Sequence, residues 1–207
     1  MKRVILFYVG IGIFVFLLIW ADKASAEPPP TDHPFCQPQI NPDGGEIATC
    51  RNDYERLNEV ASIFAMREIT VNCYTQEAWD SNYYFYGAWG ITFMDPWFAS
   101  IEMPDFLCNE LLGLTEQGQP EVRWRAALAV IVLVHESYHA RFWTWRKSEA
   151  KVGCRAIRHF RVGLGLLWGY HSYDLFRDLW PHAVALYYRQ QIKFPEYAKK
   201  DCRVQYP

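Results

Sequence analysis

His135-Glu136-Ser137-Tyr138-His139 sets two imidazoles four residues apart, with a carboxylate one step after the first. Residues four apart on a helix share a face, so both rings can offer a nitrogen to one tetrahedral zinc ion. Glu136, one step round, can hold a water against that metal. Zinc lowers the pKa of the water, and the carboxylate takes its proton as the hydroxide attacks a carbonyl carbon. The resulting carboxylic acid can then protonate a leaving amine. The competing reading of the same residues is a hydrogen-bonded pair of core histidines without metal.

A catalytic zinc needs a third protein ligand and an open position for water. Glu149 lies ten residues after His139, close to the start of a next helix, so a short helical hairpin can return it to the imidazoles. An acid in a first helical turn also favours the helix dipole with no metal involved. The rival ligand is His159, which a tight hairpin brings nearer the level of His135; a surface position beside Arg158 and Arg161 is its alternative. His171, His182, Tyr170, Tyr173, Tyr187 and Tyr188 are each eligible to donate to a tetrahedral oxyanion, against packing or plain exposure for every one of them. His33 stands alone in a linker and reads as incidental.

Helices must position these residues. Pro120, at a first helical position, opens the strongest element, expected to run to Arg141 or Trp145. Ala126 to Val134 is apolar on every side, which requires burial all round. The stretch is too short and too closely flanked by charge to cross a membrane. A further helix starts near Ser148, turns Ile157, Phe160, Leu164 and Leu167 inward, and breaks at Gly169-Tyr170. The last helical stretch, about Tyr173 to Ile192, is interrupted or restarted at Pro181.

Ahead of the motif, Asn52 with Glu55 three residues later resembles a capping box for a helix over 52–67, with Leu57, Val60, Ala61 and Phe64 as its stripe. Ile69-Thr70-Val71 reads as a strand leading to Cys73, Tyr83 to Phe93 as one or two more, and Phe98 to Met103 as another after a turn at Asp95-Pro96. Pro104 then starts a short helix carrying Cys108, Leu111 and Leu112. Tyr83, Tyr84, Phe85, Tyr86, Trp89, Phe93, Trp97 and Phe98 read mostly as core and rim filling.

Half of the 207 residues are hydrophobic, enough for one well-buried domain and too little for two large ones. Lys2 and Arg3 precede an uncharged run from Val4 to Trp20, and Ala24-Ser25-Ala26 precedes Glu27-Pro28-Pro29-Pro30. Residues 1–26 therefore read as a secretory signal peptide cut after Ala26, with an uncleaved anchor over residues 4–20 as the rival. Either way the basic end stays cytoplasmic and the domain lies outside the membrane, secreted or on its outer face. Residues 27–46 read as a flexible linker rich in Pro, Gly, Asn and Asp, and 47–207 as the catalytic domain.

An even count of six cysteines, all beyond the apolar run, suggests three disulfides in an exported chain. Cys154 with Cys202 would hold the last helix over the site, and Cys73 with Cys108 would link sheet to short helix. Cys36 with Cys50 follows by elimination. Loss of residues 1–26 takes the formal charge from −2 to −4, which leaves no basic excess for nucleic acid.

The arrangement from His135 to Glu149 resembles the gluzincin branch of the zincin metallopeptidases, in which two helical histidines and a downstream glutamate hold zinc. A closer similarity joins His135-Glu136-Ser137-Tyr138-His139, Ser148-Glu149-Ala150, Cys154-Arg155-Ala156-Ile157, Phe194-Pro195-Glu196-Tyr197 and Cys202-Arg203 to a group of uncharacterised exported bacterial proteins. Those carry HExxH, a Glu-Ala segment, a cysteine in the same helix and a terminal Tyr…Cys-Arg. The likeness covers about residues 121 to 204, with a weaker echo from Cys73 to Cys108. It implies one zinc on His135, His139 and Glu149, with Glu136 as the base.

The expected fold is α+β and mainly helical, zincin-like, with a small antiparallel sheet, an active-site helix and C-terminal helices. The expected function is an exported zinc metallopeptidase acting on peptide or protein substrates. The alternative is a non-catalytic zincin-like binding or structural module at the cell surface.

Overall fold

The computed structural model describes residues 39–40, 46–47, 50–51, 54–94, 98–114, 122–141, 148–169 and 172–195, together with 202 and 204. All of them belong to the compact unit Pro34–Pro207. The leader or anchor, the Pro28 to Pro30 run, His33, the Asp95-Pro96 turn, Trp97, Pro120, Trp145, Tyr170 and His171 lie outside the described residues.

The described chain is mainly helical. Its centre is α4 (Arg123–Arg141), in which every residue from Ala126 to Ala140 is buried. A helix apolar on all sides can be stable in water only when neighbours cover each side. The neighbours here are α1 (Glu55–Ala65), α3 (Asp105–Leu112), α5 (Glu149–Arg158), α6 (Phe160–Trp168), α7 (Ser172–Lys193) and two strands of the sheet. α6 comes so close that a Cβ on Gly163 would stand 2.8 Å from Val134 Cγ2.

The sheet has strand order β3-β4-β6-β5, formed by β3 (Cys50–Arg51), β4 (Thr70–Tyr74), β5 (Ile91–Met94) and β6 (Ala99–Pro104). It is mixed, which corrects the antiparallel expectation: β6 pairs parallel with β4 and antiparallel with β5. The physical reason is burial. All six residues of β6 are buried, so the strand takes a central place between β4 and β5 and leaves β5 at the edge.

Alternation gives the sheet two distinct faces. Val71, Cys73, Ala99, Ile101 and Met103 join the main core with the helices. Asn72, Tyr74, Ser100 and Glu102 face the other way and are buried. Tyr74 on that face packs with Trp79 and Phe85, from α2 (Gln76–Ser81) and a 3-10 turn at Tyr83–Phe85. That turn replaces the strand expected from Tyr83 onward. With three residues per turn it brings only Phe85 inward, so Tyr83, Tyr84 and Tyr86 are exposed instead of filling the core.

Three further expectations need correction. Glu55 is the first residue of α1 and Tyr54 its N-cap, without a side-chain cap bond, so the frame of the proposed capping box is not used. The helix expected from Ser148 is broken at His159 into α5 and α6, although Ile157, Phe160, Leu164 and Leu167 are all buried as read. α7 runs unbroken through Pro181. Pro181 and Arg177 are both exposed, so the Arg177 carbonyl that proline leaves without a donor can be hydrated. The two short strands β1 (Gln39–Ile40) and β2 (Glu46–Ile47) pair antiparallel.

Two disulfides join the elements, Cys73 on β4 to Cys108 on α3 and Cys154 on α5 to Cys202. The expected Cys36–Cys50 pair lies outside the described residues.

Candidate metal centre

α4 carries His135 and His139 one turn apart and brings their Nε2 atoms to 3.0 Å. α5 begins at Glu149, with Ser148 as its N-cap, and so aims the carboxylate back at the imidazoles. Glu149 Oε2 lies 2.9 Å from His135 Nε2 and 3.4 Å from His139 Nε2, and Oε1 lies 3.3 Å from the latter. The donor atoms of the three residues lie within 4.8 Å of one another, and the group can hold a metal ion.

The electrostatics suit a cation. Burial pushes the Glu149 carboxyl up, but hydrogen bonds and charge from His135 and His139 outweigh it and hold the acid far below the usual carboxylate range. Burial pulls the His139 imidazole down, yet its bond to Glu149 and the negative charges of Glu136 and Glu149 leave it raised overall. Positive charge is thus favoured where the three side chains meet. His139 Nδ1 is buried with no hydrogen-bond partner among the described residues.

Glu136 is buried beside the group, near enough for its charge to act on His139. Its carboxylate is held by a residue that sequence reasoning did not single out. Thr92 Oγ1, on β5, lies 2.8 Å from Glu136 Oε2 and 2.9 Å from the Glu136 carbonyl oxygen. Gly90 permits this approach, because a Cβ there would meet Val132 Cγ1 at 2.6 Å and Glu136 Cγ at 3.0 Å. The only sequence signal was a glycine and a threonine next to an apolar strand.

The rival ligand His159 is not part of the group. Its Nδ1 lies 2.9 Å from the Arg155 carbonyl, and its ring packs against Tyr138 and Phe64. The break between α5 and α6 falls at this residue, which turns the ring to its own helix end. Of the eligible oxyanion donors, Tyr173 and Tyr188 are exposed, His182 is half-buried, and Tyr170 and His171 are outside the described residues. Tyr187 is buried, and its ring and that of His135 both border Gly153. No family model, curated protein or solved structure matches the chain.

Proposed function

We propose that the chain is an exported zinc peptidase of zincin type, in which His135, His139 and Glu149 hold the metal and Glu136 moves the proton. The observation that carries this reading is the meeting of two imidazole nitrogens and one carboxylate at 2.9–3.4 Å, with a second carboxylate beside them. Ligand atoms of a tetrahedral zinc, at bonds of 2.0–2.1 Å, stand about 3.3 Å from one another. The donor set therefore fits zinc in both chemistry and spacing.

When bound, zinc supplies a Lewis acid that acidifies water and polarises a carbonyl. The chain's own residues do the rest. Glu136 accepts a proton from the attacking water and returns it to the leaving amine, which requires its carboxylate to be held in one place. Thr92 holds it there. A peptide is the favoured substrate because β5 is an edge strand, paired only with β6 among the described residues, and it runs past Glu136 at Thr92. An extended chain can add to such an edge by backbone hydrogen bonds. The two disulfides support an oxidising location outside the cytoplasm.

Glu136→Gln is the direct test. The amide cannot accept a proton, so hydrolysis of a broad peptide library should fall by about a hundredfold to ten-thousandfold while zinc content stays near one per chain. Cleavage by wild type should also stop with a chelator. Equal cleavage by wild type and Glu136→Gln would sink the mechanism, and no turnover by zinc-loaded wild type would turn the site into a binding or structural one.

A further inference from the structure

The geometry points to Thr92 as a positioning residue for the general base, with Gly90 as the close-approach residue that lets it reach. This rests on the reading of Glu136 as the base. Glutamate has three rotatable bonds, so an unheld carboxylate samples several staggered positions. Two points of the same residue are within reach of one hydroxyl: Glu136 Oε2 at 2.8 Å and the Glu136 carbonyl oxygen at 2.9 Å. A carbonyl oxygen has two lone pairs, so it can accept from Thr92 as well as within the helix. The hydroxyl has one proton to donate, which it gives to one of these two acceptors or shares between them, and either way it ties Glu136 to β5.

Pairing with β6 sets which way the strand faces. Thr92 pairs with Ile101 of β6, which is fully buried on the α4 side of the sheet, while Ile91 and Phe93 pack on the opposite side with Trp79 and Phe85. Both faces of β5 are therefore engaged, and the threonine must point at α4. Two residues earlier, Gly90 lies against Val132 and Glu136 with no room for a Cβ. The clamp comes from a strand 44 positions away in sequence, and its hydrogen bonds go to Glu136. Its function is to orient the carboxylate, leaving the metal group alone.

Thr92→Val keeps the shape and removes the hydroxyl; Thr92→Ser keeps the hydroxyl; Gly90→Ala pushes the strand away while keeping Thr92. With zinc-loaded full-length protein and the best peptide from the library, Thr92→Val and Gly90→Ala should each lower kcat about tenfold to a hundredfold, the scale of a misplaced catalytic group, with KM and zinc content unchanged. Thr92→Ser should restore most of kcat. Unfolding midpoints in urea would show that the variants are folded. Unchanged kcat in both losses, or a fall in zinc content that accounts for the lost rate, would overturn the inference. Crystal structures of wild type and Thr92→Val provide a readout independent of turnover. A Glu136 carboxylate that moves supports the clamp even if wild type proves inactive and the peptidase reading fails, and one that stays in place overturns it.

Discussion

Glu149 and His159 were the two residues that spacing alone left in competition for the third ligand position, and they differ most in what each touches. Glu149 meets both imidazoles, whereas His159 meets the Arg155 carbonyl and two aromatic rings. Losing an outer partner of a metal ligand already costs about tenfold to a hundredfold in affinity, so Glu149→Gln should weaken zinc binding by more than about a hundredfold. His159→Ala should leave the affinity where it was. Competition against a chromophoric chelator measures both, and the reverse ranking would reassign the ligand. The substitution at His159 should show instead as lost packing, since the ring fills space between Phe64 and Tyr138.

Among the elements, the sheet holds a second acid whose behaviour differs from that of Glu149. Glu102, in the middle of β6, is fully buried and takes hydrogen bonds from Asn72, Ser100 and Tyr74. Burial nevertheless dominates and pushes its carboxyl up to about 7 from an ordinary 4.5. The folded protein then holds a proton that the unfolded chain releases. Stability from this group is complete below pH 4.5 and is lost as pH rises to about 7, amounting to about 3 kcal/mol. Glu102→Gln mimics the protonated acid and should lack that slope. Urea unfolding of both proteins at pH 5 and pH 8 isolates the effect from His139 and Glu149, which titrate in each. A constant difference between wild type and variant across the two pH values would show that Glu102 is not the group responsible.

On the scale of the whole molecule, one disulfide ties the helix of Glu149 to the chain's end and the other ties the sheet to a helix. Cys154 sits in the helix that starts with Glu149, and its bond to Cys202 closes 48 positions. Cys73–Cys108 closes 35 and joins the sheet to α3. Constraining the unfolded chain over loops of this size stabilises by about 2–4 kcal/mol per bond. Cys202→Ser should therefore lower the unfolding free energy by about that amount, and reduction of wild type should lower it further. Non-reducing peptide mapping before and after supplies the control. An unfolding curve insensitive to reductant would mean that packing alone holds the unit, and would remove the argument for an oxidising compartment. None of the described helices is long and apolar enough to cross a membrane.

What the sequence determined by itself was local. The 3.6-residue period sets which side chains share a helix face, so the burial of α4, the pairing of His135 with His139, and the inward turn of Ile157 and Leu164 were legible from spacing. Glu149 was legible because a short hairpin leaves few places for a first-turn acid. Both described disulfides followed from the same elements. The tertiary structure decided whatever depends on which strand lies beside which. Ile91 and Phe93 pack with Trp79 and Phe85 on one side of β5 and Thr92 reaches Glu136 of α4 on the other, and nothing local to Ile91-Thr92-Phe93-Met94 names those partners. The parallel β4–β6 pair, the edge position of β5 and the Gly90 contact all come from β6 taking the buried centre of the sheet. That choice is made by competition for burial among segments far apart in the chain, and no local period encodes it.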